Sequence, residues 1–153
     1  MTDHDAIEAL LYEYADRIDR GDLAGVAALF HNATYGGRQS PARRGSDAVR
    51  ALLAGAVRLH DDGTPRTKHV TTNVRIELDP NGTTATAQSY FTVLQQTTTL
   101  PLQVVIAGRY TDRFARVDGQ WQFTARVIDM DLIGDLRDHL ADATAVARPP
   151  ETR

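Results

Sequence analysis

The spacing of the apolar residues changes once along this chain, near Pro65, and that change constrains the fold more than any single motif. Before it, Ile7, Leu10, Leu11, Tyr14 and Ile18 recur at helical spacing, as do Val49, Leu52, Leu53, Ala56 and Val57. After it the residues alternate. Val70, Thr72, Val74, Ile76 and Leu78 fall on one face, and His69, Thr71, Asn73, Arg75 and Glu77 on the other, which is the period of a half-buried strand. A chain that is helical first and extended afterwards is an α+β protein.

The punctuation supports that division. Thr2 or Asp3 can cap a helix over about 4–20, and Gly21 stops it. Asp22 caps a short helix over 23–30, and Ser46 caps a third over 46–60. Between them, 31–45 is turn-rich. Strands are predicted over 66–78, 84–97, 102–117 and 120–129, with hairpin turns at Pro80-Asn81-Gly82 and Asp118-Gly119. A short closing helix is predicted over 131–140, then a frayed tail over 141–153. The expected architecture is one domain over 1–140. Three helices pack on a strongly curved antiparallel sheet of about four long strands, giving a cone open at one end, where a pocket for a small molecule would form.

Composition removes several function classes. The formal charge is −3, so the concentrated Lys and Arg that bind nucleic acid are missing. No cysteine is present, which excludes disulfides and thiolate metal sites and fits a cytoplasmic location. No apolar run approaches the ~20 residues of a membrane span, and the opening Met-Thr-Asp-His-Asp does not read as a signal peptide, so no membrane partner is expected. His4, His31, His60 and His139 show no ligand spacing with His69 or each other, and no metal is expected. Neither a nucleophile elbow nor a phosphate-binding glycine loop occurs.

The polar residues on the strands carry the chemistry. His69 and Asn73 share a predicted strand face, roughly 13 Å apart. They either form a solvated face or line the mouth of a pocket with His69 as its acid/base. Asp112 shares a predicted face with Leu102, Val104, Ile106, Gly108, Tyr110 and Phe114. A carboxylate there must be paired, with Arg126 or Arg109, or sit in a wet cavity. Tyr14 sits on the apolar face of its helix, as a core residue or a pocket hydroxyl. Asp19 lies at the edge of that face, where the helix dipole slightly disfavours it, and Asp16 opposite. Trp121 and Phe123 read as core.

Three stretches resemble a known family. They are Tyr14-Ala15-Asp16-Arg17-Ile18-Asp19-Arg20-Gly21-Asp22-Leu23 with Ala28-Leu29-Phe30, then Arg66-Thr67-Lys68-His69-Val70-Thr71-Thr72-Asn73, then Gly108 to Phe114 leading to Asp118-Gly119-Gln120-Trp121. In order and spacing the chain resembles the nuclear transport factor 2-like superfamily, and within it the SnoaL-like and scytalone-dehydratase-like branch. The resemblance implies the cone-shaped, cystatin-like fold. It implies His69, Asp19 and Tyr14 as catalytic residues, Tyr35 as an aromatic hydroxyl after the second helix, and Asp112 as a polar residue in the third strand. Asn73, Tyr110 and Arg126 join Tyr35 and Asp112 as candidate substrate contacts. One departure stands out: dehydratases of this branch usually carry a second histidine or an aspartate in the second strand, where this chain reads Tyr90-Phe91-Thr92-Val93-Leu94-Gln95.

The expected activity is that of a small lyase or isomerase, needing no cofactor, on an apolar oxygenated ring such as a polyketide or steroid-like compound. His69 would act as base and then acid, Asp19 or Asp112 would fix its tautomer, and Tyr14 and Tyr35 would stabilise an enolate. Two alternatives stay open. One is a non-catalytic ligand-binding or subunit module, like the small subunit of ring-hydroxylating dioxygenases. The other is a ketosteroid-isomerase-like enzyme with Asp112 as base. A homo-oligomer is expected, a dimer before a trimer, with Arg75, Glu77, Arg109 or Arg113 near the contact.

Overall fold

The computed structural model describes residues 1–142. Its first helix, α1 (Asp3–Asp19), begins at a reciprocal cap: the Thr2 hydroxyl accepts from the Asp5 amide at 3.1 Å, and the Asp5 carboxylate accepts from the Thr2 amide at 2.8 Å. Ile7, Leu11, Tyr14 and Ile18 form its buried stripe, as their spacing predicts. At Gly21 the backbone takes φ 76°, and a Cβ there would collide with the Gly63 carbonyl oxygen, so the stop is glycine for two reasons. Asp22 caps α2 (Leu23–Ala28) through the Gly25 amide. The third helix, α3 (Ser46–Ala56), buries Val49 and Leu53. Ser46 is its first residue rather than its cap; Gly45, at φ 83°, holds the cap position without a side-chain bond.

The sheet is open, curved and mixed, with six strands rather than four. The four long strands are β3 (Thr67–Leu78), β4 (Thr84–Gln95), β5 (Gln103–Val117) and β6 (Gln120–Ile133). The extra two, β1 (Thr34–Gly37) and β2 (Arg43–Arg44), come from the turn-rich segment. They are too short to show a period, and β1 exists because it pairs in parallel with β6, far along the chain. The sheet order is β2-β1-β6-β5-β4-β3. No helix forms over 131–140. Instead β6 continues to Ile133, opposite Ile106, because its outward carboxylates are taken up across the sheet. Arg38 grips Asp129, and Arg109 grips Asp131, each through two nitrogens. The chain then turns, and Leu140 bridges Val57. The tail expected over 141–153 lies almost wholly outside the described residues.

Four single-residue bulges bend the sheet and decide which side chains face the helices. In β3 the register slips between Thr72 and Arg75, with Asn73 at φ 53°. Before the slip the odd-numbered residues Thr67, His69 and Thr71 turn inward; after it Val74, Ile76 and Leu78 do, and Val70 is left 40% exposed. A strict alternation would have put His69 on the face opposite the apolar residues. The bulge puts it on their side. A second slip, in β5, buries Val105 and Ile106 together and turns Leu102 and Val104 outward, against the single face expected for 102–114.

Candidate active site

His69 enters the interior where β3 meets the end of α1. Its Nδ1 lies 2.6 Å from Asp19 Oδ1, and its own backbone N–H donates to Asp19 Oδ2 at 2.8 Å. The Thr67 hydroxyl, two residues earlier on the same face, donates to Asp19 Oδ1 at 2.8 Å. Three donors thus converge on one carboxylate. They offset the unfavourable position of Asp19 at a helix C-terminus, and they hold it in a single orientation. A carboxylate accepts only, so Nδ1 carries the proton and Nε2 is the basic nitrogen. Nε2 makes no hydrogen bond among the described residues, and the imidazole is 6% exposed.

A second cluster begins one and a half turns earlier on α1. The Tyr14 hydroxyl lies 2.7 Å from that of Tyr35, which β1 contributes. Asp112 and Arg126 are direct cross-strand neighbours on β5 and β6, and they form a two-pronged ion pair at 2.8 Å and 2.8 Å with neither side chain exposed. The guanidinium carbon lies 3.7 Å from the centre of the Tyr110 ring and 4.3 Å from that of Tyr14. Burial works to discharge Arg126, but the Asp112 carboxylate overcomes it and holds the pKa above the ordinary arginine value. Burial raises the pKa of Tyr14, and raises those of Tyr35 and Tyr110 further, so all three hydroxyls are protonated and can donate. Arg126 Nη1 has no hydrogen-bond partner among the described residues. The Phe91 ring stacks on Tyr110 at 4.4 Å and covers Gly108, where a Cβ would strike it.

His69 and Asp19 therefore come together, and Tyr14, Tyr35, Tyr110 and Arg126 form a separate cluster that shares helix α1 with Asp19. Two further candidates, Asn73 and Asp112, are placed apart from the His69–Asp19 pair. Asn73 sits at the bulge and is exposed, because the slip that turns His69 inward turns Asn73 outward. Asp112 is buried, with Arg126 on both of its oxygens, which is the paired arrangement rather than the wet cavity. Thr67 and His139 also belong to the neighbourhood of His69. Thr67 could have been found two residues from His69 on the same strand face; His139 left no sequence signal. Among the described residues no group of His, Asp and Glu is placed to hold a metal ion, and no helix is long and apolar enough to cross a membrane.

Comparison with known proteins agrees with the fold. The model of the SnoaL-like domain family matches residues 1–127. A solved structure described as a scytalone dehydratase by assignment only, from Novosphingobium aromaticivorans, is 26% identical, with 95% of each chain covered and a TM-score of 0.71. A solved variant of Rv3472 from Mycobacterium tuberculosis, a protein of unknown function, is 27% identical over 84% of this chain and 71% of that one, with a TM-score of 0.67. A nuclear transport factor 2-like protein with a cystatin-like fold, also from N. aromaticivorans, shows the fold alone: 19% identity, 84% and 82% coverage, TM-score 0.70. None of the curated proteins matches.

Proposed function

The chain belongs to the SnoaL-like domain family, and on that premise we propose that it is a cofactor-independent dehydratase or isomerase acting next to a carbonyl on an apolar cyclic molecule, such as a polyketide or steroid-like compound. The observation that carries this reading is the 2.6 Å contact between His69 Nδ1 and Asp19, which leaves Nε2 as a free base. In the proposed reaction Nε2 takes a proton from the carbon beside the carbonyl, and the C–H electrons form an enolate. The tyrosine hydroxyls and Arg126 stabilise the negative oxygen. The imidazolium, paired with Asp19, then returns its proton: to a β-hydroxyl, which leaves as water, or to another carbon of the ring. The likeness to the scytalone dehydratase assigned in N. aromaticivorans supports this class of reaction. The alternative with Asp112 as base is disfavoured, because both oxygens of this carboxylate are engaged by Arg126 and neither side chain is exposed.

The test is a panel of hydroxylated cyclic ketones, assayed for dehydration and isomerisation. Asp19→Asn keeps the shape of the dyad and removes its charge, so we expect turnover about 10- to 100-fold below the parent. Binding of panel members with no turnover in the parent would favour the ligand-binding module instead.

We propose a homodimer through the outer sheet face. Tyr90 is 51% exposed there, with Val70, Val104 and Leu132 around it and the Arg109–Asp131 pair between. An apolar patch of this kind on a sheet surface suits a self-complementary contact. Light scattering should give twice the chain mass, and Tyr90→Lys should return the monomer. A monomer mass for the parent at high concentration would contradict the dimer.

A further inference from the structure

The end of the described chain is tied across the part of the sheet that holds His69. The Arg58 amide donates to the His139 carbonyl, and the Ala141 amide to the Ala56 carbonyl, each at 2.9 Å. The Asp138 carboxylate accepts the hydroxyls of Thr97 and Thr99 at 2.6 and 2.9 Å, while its carbonyl accepts the buried Gln95 amide at 3.0 Å. These bonds place the His139 ring centre 6.1 Å from that of His69, the rings inclined by 59°. His139 is buried, yet its Nδ1 has no hydrogen-bond partner among the described residues. For packing alone an apolar ring would serve without the cost of an unbonded nitrogen.

We propose that His139 is the second imidazole of the site, a neutral acceptor for the hydrogen of the hydroxyl that leaves the substrate. The proposal rests on the dehydratase reading. Two rings with centres 6.1 Å apart are close enough for one oxygen, hydrogen-bonded at ~2.8 Å to each, to bridge their edges. In that position the hydroxyl donates its own hydrogen to His139 and turns a lone pair toward His69. His69 Nε2, protonated by the carbon acid, passes that proton to the oxygen. The C–O bond breaks with its electron pair on oxygen, the enolate electrons form the C=C bond, and water leaves still bound to His139. His139 neither gains nor loses a proton, and the role requires an uncharged ring, because an imidazolium has no acceptor. Burial, reinforced by His69 and His60 and opposed by Asp19, holds its pKa at about 4, so the lone pair is kept at neutral pH.

The test compares the full-length parent with His139→Phe, using a β-hydroxytetralone and the tetralone lacking the hydroxyl. Dehydration should fall about 100-fold in kcat with KM within a few-fold, while deuterium exchange at the α-carbon of tetralone, which requires only His69, persists. His139→Gln, which restores an acceptor, should recover part of the loss. Parental dehydration by His139→Phe would overturn the proposal, and so would equal loss of dehydration and exchange, which marks a packing role. A parent that neither exchanges nor dehydrates refutes the dehydratase reading itself. Nitrogen NMR of histidine-labelled parent then decides on binding alone: the hydroxytetralone, and not the tetralone, should move the His139 Nδ1 resonance, and equal shifts or none overturn the assignment.

Discussion

Replacing His69 by alanine is expected to lower turnover of any active ketone by about 10²- to 10⁴-fold, the range that a positioned acid/base contributes. The structure makes this a clean experiment. Asp19 keeps two of its three donors in the variant, the Thr67 hydroxyl and the backbone amide of residue 69, so the carboxylate is not stranded. The end of α1 should therefore stay in place, and the melting temperature should move little. The assay compares kcat and KM for parent and variant on the same substrate, with thermal unfolding as a control. Equal rates in the two proteins would remove His69 from the mechanism.

The largest effect on stability is expected at the Asp112–Arg126 pair. Asp112→Ala leaves a guanidinium buried without its counter-charge, which costs about 3–5 kcal/mol. For a domain of this size that corresponds to a fall of roughly 6–20 °C in Tm. The double variant Asp112→Ala with Arg126→Met should recover much of the loss, since no charge then remains in the core. Urea unfolding of the three proteins measures both effects. A single variant as stable as the parent would show that water reaches Arg126. Because the guanidinium also packs on Tyr14 and Tyr110, the single variant should disturb the tyrosine cluster as well.

The site was only partly legible in the sequence. Asp19 and His69 are fifty positions apart, and no local pattern joins them. They were paired through the resemblance to a family, and the structure supplies the physical link: a helix end laid against the first residues of a strand, with a threonine and a backbone amide completing the carboxylate. Asn73 was misplaced because alternation was read as unbroken. An asparagine tolerates positive φ better than most residues, and that tolerance at Asn73 is where the strand changes face. His139 could not be read at all, since the segment that bears it has neither period nor motif and is positioned by bonds to Arg58, Gln95, Thr97 and Thr99.

What the sequence determined by itself is the set of local preferences. The stripe of α1, the caps at Thr2 and Asp22, the positive φ at Gly21, the hairpin turns and the alternation of the four long strands all follow from residues close together in the chain. Pairings across the chain decided the rest. Strand β1 exists through β6, and β6 extends past 131 because Arg109 and Arg38 hold its carboxylates, where local propensity favoured a helix. The bulges fix which residues face inward, since one extra residue in a strand reverses every side chain beyond it. For His69 that reversal separates a solvated face from a buried dyad, and it depends on the register with β4, which only the folded sheet sets.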